Sequence, residues 1–202
     1  MGGGKLQQQK GRQYEAVVIG VSAGGLAALR EVLPALAPDF PMPVLIVQHM
    51  SRLSEGILSR LLDEVSQVRV KEAEDKESAV PGVVYIAPAN YHLLVEEDGS
   101  LALSLEERVN FARPAVDVLF EAAADVYGPR LIGVVLTGAN DDGSRGLKKI
   151  KERGGLTIVQ DPATAVADAM PRAAIAASRV DYILPLTEIG PLLNSLADGR
   201  RT

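Results

Sequence analysis

The chain has 202 residues, 47% of them apolar, and a formal charge of −5 from 21 basic and 26 acidic side chains. This excludes a chain too polar to bury a core, and the lack of any long basic run argues against a nucleic-acid partner. The absence of cysteine excludes disulfides and thiol catalysis and fits a reducing compartment.

No run approaches the length of a membrane span, so no membrane insertion is expected. The opening MGGGKLQQQKGR lacks the apolar core of a secretory signal, and the expected location is the cytoplasm. Residues 1–13 are polar and glycine-rich and read as a flexible tail or linker remnant, with one domain over 14–202. From residue 14 the apolar pattern alternates. The run EAVVIG at 15–20 predicts a buried strand, and 24–36 a helix with Leu26, Leu29, Val32 and Leu33 on one face. A second buried strand is predicted at 43–48 (PVLIVQ) and a helix at 54–62. Short strands follow at 67–70 and 82–86. Residues 92–95 and 101–104 flank Asp98-Gly99 and predict a hairpin. A helix at 114–126 opens on proline. The strand LIGVVL at 131–136 precedes a helix at 144–153 and a strand at 156–159. Helix, strand and helix at 171–177, 182–184 and 189–196 complete the chain.

Strand and helix in alternation, with continuously apolar strands, predict an α/β fold: a doubly wound, mostly parallel sheet with helices on both faces and the hairpin as an antiparallel edge. In such sheets ligands bind beyond the carboxyl ends of the strands. Three junctions qualify, and each carries a polar residue able to do chemistry.

After the first strand comes Gly20-Val21-Ser22-Ala23-Gly24-Gly25. Ser22 at this strand-to-helix turn has three readings: a nucleophile with helix N–H groups near a developing oxyanion, a helix cap, or part of a phosphate-binding loop. After the second strand comes His49. The chain has only two histidines, and His92, at the start of the hairpin, reads as structural or surface. After the LIGVVL strand comes Thr137-Gly138-Ala139-Asn140-Asp141-Asp142-Gly143. One of the two acids can turn inward to orient a histidine, while the other caps the next helix. The carboxylates follow no recognised metal-ligand spacing, and no metal or other cofactor is expected. Serine, histidine and aspartate at three strand ends can form a triad, in which the imidazole takes the hydroxyl proton and the carboxylate holds the tautomer.

The segments IGVSAGG (19–25), VQHM (47–50), VYIAPANYHL (84–93), RPAVDVLF (113–120), LTGANDDG (136–143) and IVQDPATAVADAMPRAAI (158–175) occur in an order that resembles the catalytic domain of the chemotaxis receptor methylesterases, the CheB family. That resemblance implies a serine esterase acting on glutamate γ-methyl esters of receptors, with glutamine deamidation as a second activity. It implies Ser22 as nucleophile, His49 as base, Asp142 as orienting acid, and the backbone N–H of Ala139 as oxyanion donor. Its expected partners are methylated receptor cytoplasmic domains and a separate regulatory receiver domain, for which this chain has no room. Two positions depart from the family pattern: Ala23 stands where threonine is common, and Ala139-Asn140 replaces Met-Gly. Asn140 in place of glycine raises the expectation of an altered turn, because asparagine reaches left-handed φ less readily. Two other classes compete. The G-x-S-x-G pattern of Gly20–Gly24 fits an α/β-hydrolase, but both histidines precede Asp142, whereas that class places its histidine last. A phosphate loop fits poorly, because Ser22 replaces the second glycine of the dinucleotide motif and no lysine follows. A degenerate scaffold that keeps the triad residues without efficient turnover is the third alternative.

Overall fold

The computed structural model describes residues 14–49 and 56–199. The expected tail at 1–13 and the first residues of the helix predicted at 54–62 lie outside them. The central strand β1 (Ala16–Val21) is buried along its whole length. It pairs in parallel with β2 (Val44–Gln48) on one side and β7 (Leu131–Val135) on the other. The sheet continues outward from β2 to β4 (Val83–Ile86) and β3 (Arg69–Glu72), and from β7 to β8 (Leu156–Gln160) and β9 (Tyr182–Leu184). All seven strands run in parallel. Apolar residues on both faces of the central strands leave them stable only when helices cover both sides.

The side chains of β1 divide by the two-residue period. Val17, Ile19 and Val21 pack against α1 (Gly25–Val32), α2 (Ile57–Asp63) and α6 (Leu186–Ala197). Ala16 and Val18 face α3 (Val116–Tyr127), α4 (Ser144–Glu152) and α5 (Ala169–Ala177). The predicted doubly wound fold is therefore present.

Two local differences matter. The hairpin forms as β5 (His92–Val95) and β6 (Leu101–Ser104), but as a two-stranded sheet of its own rather than an edge of the main one. Its Leu93, Val95 and Leu101 join the core under α3, so packing on a helix replaces edge pairing. On α1 the buried stripe is Gly25, Ala28, Leu29 and Val32, whereas Leu26 is 38% exposed beside the strand ends. Gly25 takes the inward place in the first turn, where an added methyl group would collide with the Gln48 side-chain oxygen. No helix among the described residues is long and apolar enough to cross a membrane.

Candidate active site

The sheet order reverses at β1. The chain leaves β1 toward β2 and returns on the other side as β7, which makes the carboxyl ends of these three strands the switch point of the fold. Hydrogen bonds carry the ladder one residue past the strands: His49 N–H donates to Val21 O at 3.2 Å, and Ser22 N–H donates to Thr137 O at 2.9 Å. Residues far apart in sequence are thereby held in adjacent rows.

The three predicted residues meet there. His49 Nδ1 lies 3.2 Å from Ser22 Oγ, and His49 Nε2 lies 2.8 Å from Asp142 Oδ2. With Nε2–H donating to the carboxylate, Nδ1 carries the lone pair that faces the hydroxyl, the tautomer a base requires. Of the two neighbouring acids, Asp142 is fully buried and turned inward, while Asp141 is exposed. The side chain of Asp141 does not cap α4, which has no side-chain cap at its Gly143 start.

The Asp142 carboxylate sits at the open N-terminus of α3. Oδ2 also accepts the Val116 N–H at 2.7 Å, and Oδ1 accepts the Asp117 N–H at 3.0 Å. Burial pushes this carboxyl upward, but the bonds from His49, Asp117 and Val116 outweigh it and hold it below the usual carboxylate range. Its neighbour Asp117, buried on α3, is shifted the other way. Burial is the main cause, and the nearby Asp142 charge adds to it against the bond from the Gly146 N–H.

Further residues shape the site; Gln48, Thr137 and Gly138 lie inside the sequence motifs, but their roles emerge only from the fold. Gln48 is buried at the end of β2, and its Nε2 donates to Ser22 O and to His49 O, both at 2.9 Å, tying the two loops together. Thr137 Oγ1 donates to Ala23 O at 2.8 Å and accepts the Ala167 N–H at 2.9 Å. Gly138 permits close approach: a methyl group there would lie 3.0 Å from Ser22 Cβ and run into Met170. Gly24 supplies φ +80°, which lets the chain turn from Ser22 into α1. Ala139 is exposed, and its N–H takes part in no hydrogen bond among the described residues, which leaves it available to an oxyanion.

Asn140 does not adopt left-handed φ, so the turn does not require a glycine there. Its Nδ2 instead lies 3.4 Å from His49 Nδ1, and its Oδ1 accepts the Asp142 N–H at 3.2 Å. His92 is buried, with Nε2 3.0 Å from Glu107 O and Nδ1 accepting the Ala115 N–H, a structural role. Open clefts flank Ser22. One, of about 550 Å³, is lined by His49, Asn90, Arg108, Phe111 and Asn140, and the other by Leu26, Arg30, Ile57 and Leu61.

Comparison with known proteins identifies the family and the fold. The family model described as CheB methylesterase matches residues 17–193. A Leptospira interrogans protein is 55% identical over 179 residues, covering 89% of this chain and 93% of that protein. A Moorella thermoacetica protein named protein-glutamate methylesterase/protein-glutamine glutaminase is 45% identical over 92% of this chain. The Myxococcus xanthus protein-glutamate methylesterase FrzG is 43% identical over the same share. The chain spans about half the length of these last two relatives, 45% and 55%. The crystal structure of the Thermotoga maritima CheB methylesterase catalytic domain superposes with a TM-score of 0.87 at 40% identity, covering 91% of this chain and 99% of that one. Matched along most of its length in sequence and in fold, the chain belongs to the CheB methylesterase family.

Proposed function

We propose that this chain hydrolyses glutamate γ-methyl esters on the cytoplasmic domains of chemotaxis receptors, and deamidates glutamine side chains at the same site. The observation that carries the reading is the continuous Ser22 Oγ–His49 Nδ1, His49 Nε2–Asp142 Oδ2 chain at the switch point of a CheB-family fold.

Ser22 Oγ attacks the ester carbonyl carbon while His49 Nδ1 takes its proton. The oxyanion is stabilised by the Ala139 N–H, and Asp142 stabilises the imidazolium through Nε2–H. Collapse of the intermediate expels methoxide, which receives the proton from His49 and leaves as methanol. Water, deprotonated by the same nitrogen, then attacks the acyl-serine and frees glutamate. With a glutamine side chain the leaving group is ammonia. The open clefts beside Ser22 suit a short acyl side chain presented by a protein surface better than a long free ester. Control by a separate receiver domain belongs to the same reading and is supported by the family relationship.

The test uses receptor fragments carrying tritiated methyl groups, short-chain aryl esters, and Ser22→Ala as control. Release of volatile label that depends on Ser22 is expected. Normal release by Ser22→Ala overturns the assignment of the nucleophile. Fast aryl-ester turnover without receptor demethylation would identify a small-molecule carboxylesterase.

A further inference from the structure

Residues 109–112 form a two-residue turn that overhangs the candidate site. Val109 N–H donates to Ala112 O at 3.1 Å, and Ala112 N–H donates to Val109 O at 2.9 Å. Both residues at its tip are left-handed, Asn110 at φ 50° and Phe111 at φ 61°. Asparagine tolerates that region, whereas a bulky aromatic rarely adopts it. The turn sends its two side chains in opposite directions. Phe111 is 96% exposed. Asn110 is also exposed as a residue, but its Nδ2 points inward and donates to Asp142 Oδ1 at 3.0 Å and to Asp117 Oδ2 at 3.0 Å. An amide nitrogen carries two hydrogens, so one group can serve both carboxylates at once.

Those carboxylates are 0% and 2% exposed and belong to different elements. Asp142 takes its remaining donors from His49 and the α3 N-terminus. Asp117 takes the Gly146 N–H on Oδ1, with Arg145 at 3.8 Å from Oδ2. Asn110 is the one side chain among the described residues that donates to both. Two buried like charges repel, and the Asp142 charge adds to burial in raising the Asp117 carboxyl.

We propose that Asn110 is a positioning residue for the reaction: by bridging Asp142 and Asp117 with one amide, it locks the Asp142 carboxylate in the orientation that presents Oδ2 to His49 Nε2. The inference rests on Ser22, His49 and Asp142 acting as the triad. Without the bridge, Asp142 Oδ1 loses a donor on its cleft side and faces Asp117 with nothing between them. Among the described residues, Asp142 Oδ1 is then held by the Asp117 N–H alone and Asp117 Oδ2 keeps only Arg145 at 3.8 Å, so the hold on the carboxylate that faces the imidazole loosens.

Asn110→Gly removes the amide without backbone strain, because glycine accepts φ 50°. Asn110→Asp keeps the shape but replaces the donor by an acceptor. For each variant, kcat and KM on methylated receptor fragments and the rate of fluorophosphonate labelling at Ser22 are measured across pH, alongside thermal unfolding. Asn110→Gly is expected to lower kcat and labelling on the order of 10- to 100-fold, the range for losing one hydrogen bond to a charged group. KM should change by no more than about threefold, because the group does not touch substrate. The titratable groups around the bridge are His49, Asp117, Asp142, Arg145, Arg108 and Arg113. Against that background, Asn110→Asp should be most impaired at alkaline pH and recover relative to wild type on mild acidification, as the introduced carboxyl protonates and regains a donor. A purely structural role would lower the melting temperature without that pH signature. Folded Asn110→Gly and Asn110→Asp proteins with wild-type kcat, labelling and pH profile would overturn the inference. If Ser22→Ala also retained methanol release, the triad reading itself would fall; if Ser22→Ala were inactive, only the role of Asn110 would.

Discussion

Asn140 offers its Nδ2 to the same His49 nitrogen that Ser22 needs, at 3.4 Å against 3.2 Å. A donor in that place competes with the hydroxyl for the lone pair. Asn140→Gly is therefore expected to raise Ser22 labelling by about two- to fivefold, an effect worth less than ~1 kcal/mol. A fall of similar size would show instead that the amide assists the reacting group. The two acids of the loop separate more sharply. Asp142 accepts four donors, and an asparagine there would oppose at least one N–H with its own and favour the wrong imidazole tautomer. Asp142→Asn should cost on the order of 10⁴-fold in kcat. Asp141 is exposed, and Asp141→Asn should cost less than about threefold, since exposed changes away from such bonds have small effects. Steady-state methanol release by the two variants checks the ranking, and a reversed order would reassign the acid. At this scale the sequence places a serine, a histidine and a pair of acids at strand ends. Strand-end position alone does not say which acid turns inward, because either register of a glycine-bracketed turn is sterically open; the family resemblance is what pointed to Asp142.

Helices α3 and α4 exchange their N-terminal caps. Neither has a side-chain cap of its own, with Ala115 and Gly143 at the cap positions. Asp142, from the loop before α4, accepts the first two N–H groups of α3. Asp117, from the first turn of α3, accepts the Gly146 N–H in the first turn of α4. Each acid satisfies donors that would otherwise be buried without partners, and each stands at the positive end of a helix dipole. The exchange locks Asp142 to two rigid elements rather than to a loop. Asp117→Ala leaves the Gly146 N–H and one hydrogen of the Asn110 amide unpaired, and should lower unfolding free energy by about 1–3 kcal/mol. Asp117→Asn keeps an acceptor for Gly146 and sheds a buried charge, so its cost should be smaller; urea unfolding distinguishes the two. If the alanine variant were as stable as the asparagine variant, the cap would have no energetic weight. Element types were legible in the sequence because apolar runs and helical spacing are local properties. The place of the hairpin was not, because strand pairing within β5–β6 says nothing about which surface its apolar face will cover. Leu26 was misassigned for a related reason: the stripe can start on a glycine, which hydrophobicity does not mark.

At the scale of the molecule, the parallel register around β1 converts distance in sequence into proximity, and it also makes the site sensitive to acid. The Asp142 carboxyl lies below its usual range in the folded state. Its contribution to stability is therefore fully present above the unfolded-state value of about 3.9 and is lost as pH falls through the lowered folded value. Wild-type protein is expected to lose stability below roughly pH 4, and Asp142→Asn to lose less over the same interval. Urea midpoints measured through that range check the sign. A variant as acid-sensitive as wild type would place the lost stability in other carboxylates.

What the sequence determined by itself is the set of runs long and apolar enough to be buried strands, their alternation with helices, and the polar residues that end three of them. Those are consequences of local composition, and together with ordered motifs along the chain they were enough to point to Ser22, His49 and Asp142 and to the family. How those residues face one another follows from the folded chain alone: Nδ1 toward Ser22 and Nε2 toward Asp142, Asp141 left in solvent, Gln48 across two loops, and the Asn110 amide between two buried acids. Each depends on contacts between segments remote in sequence, and these exist only once the sheet has set the register between its strands.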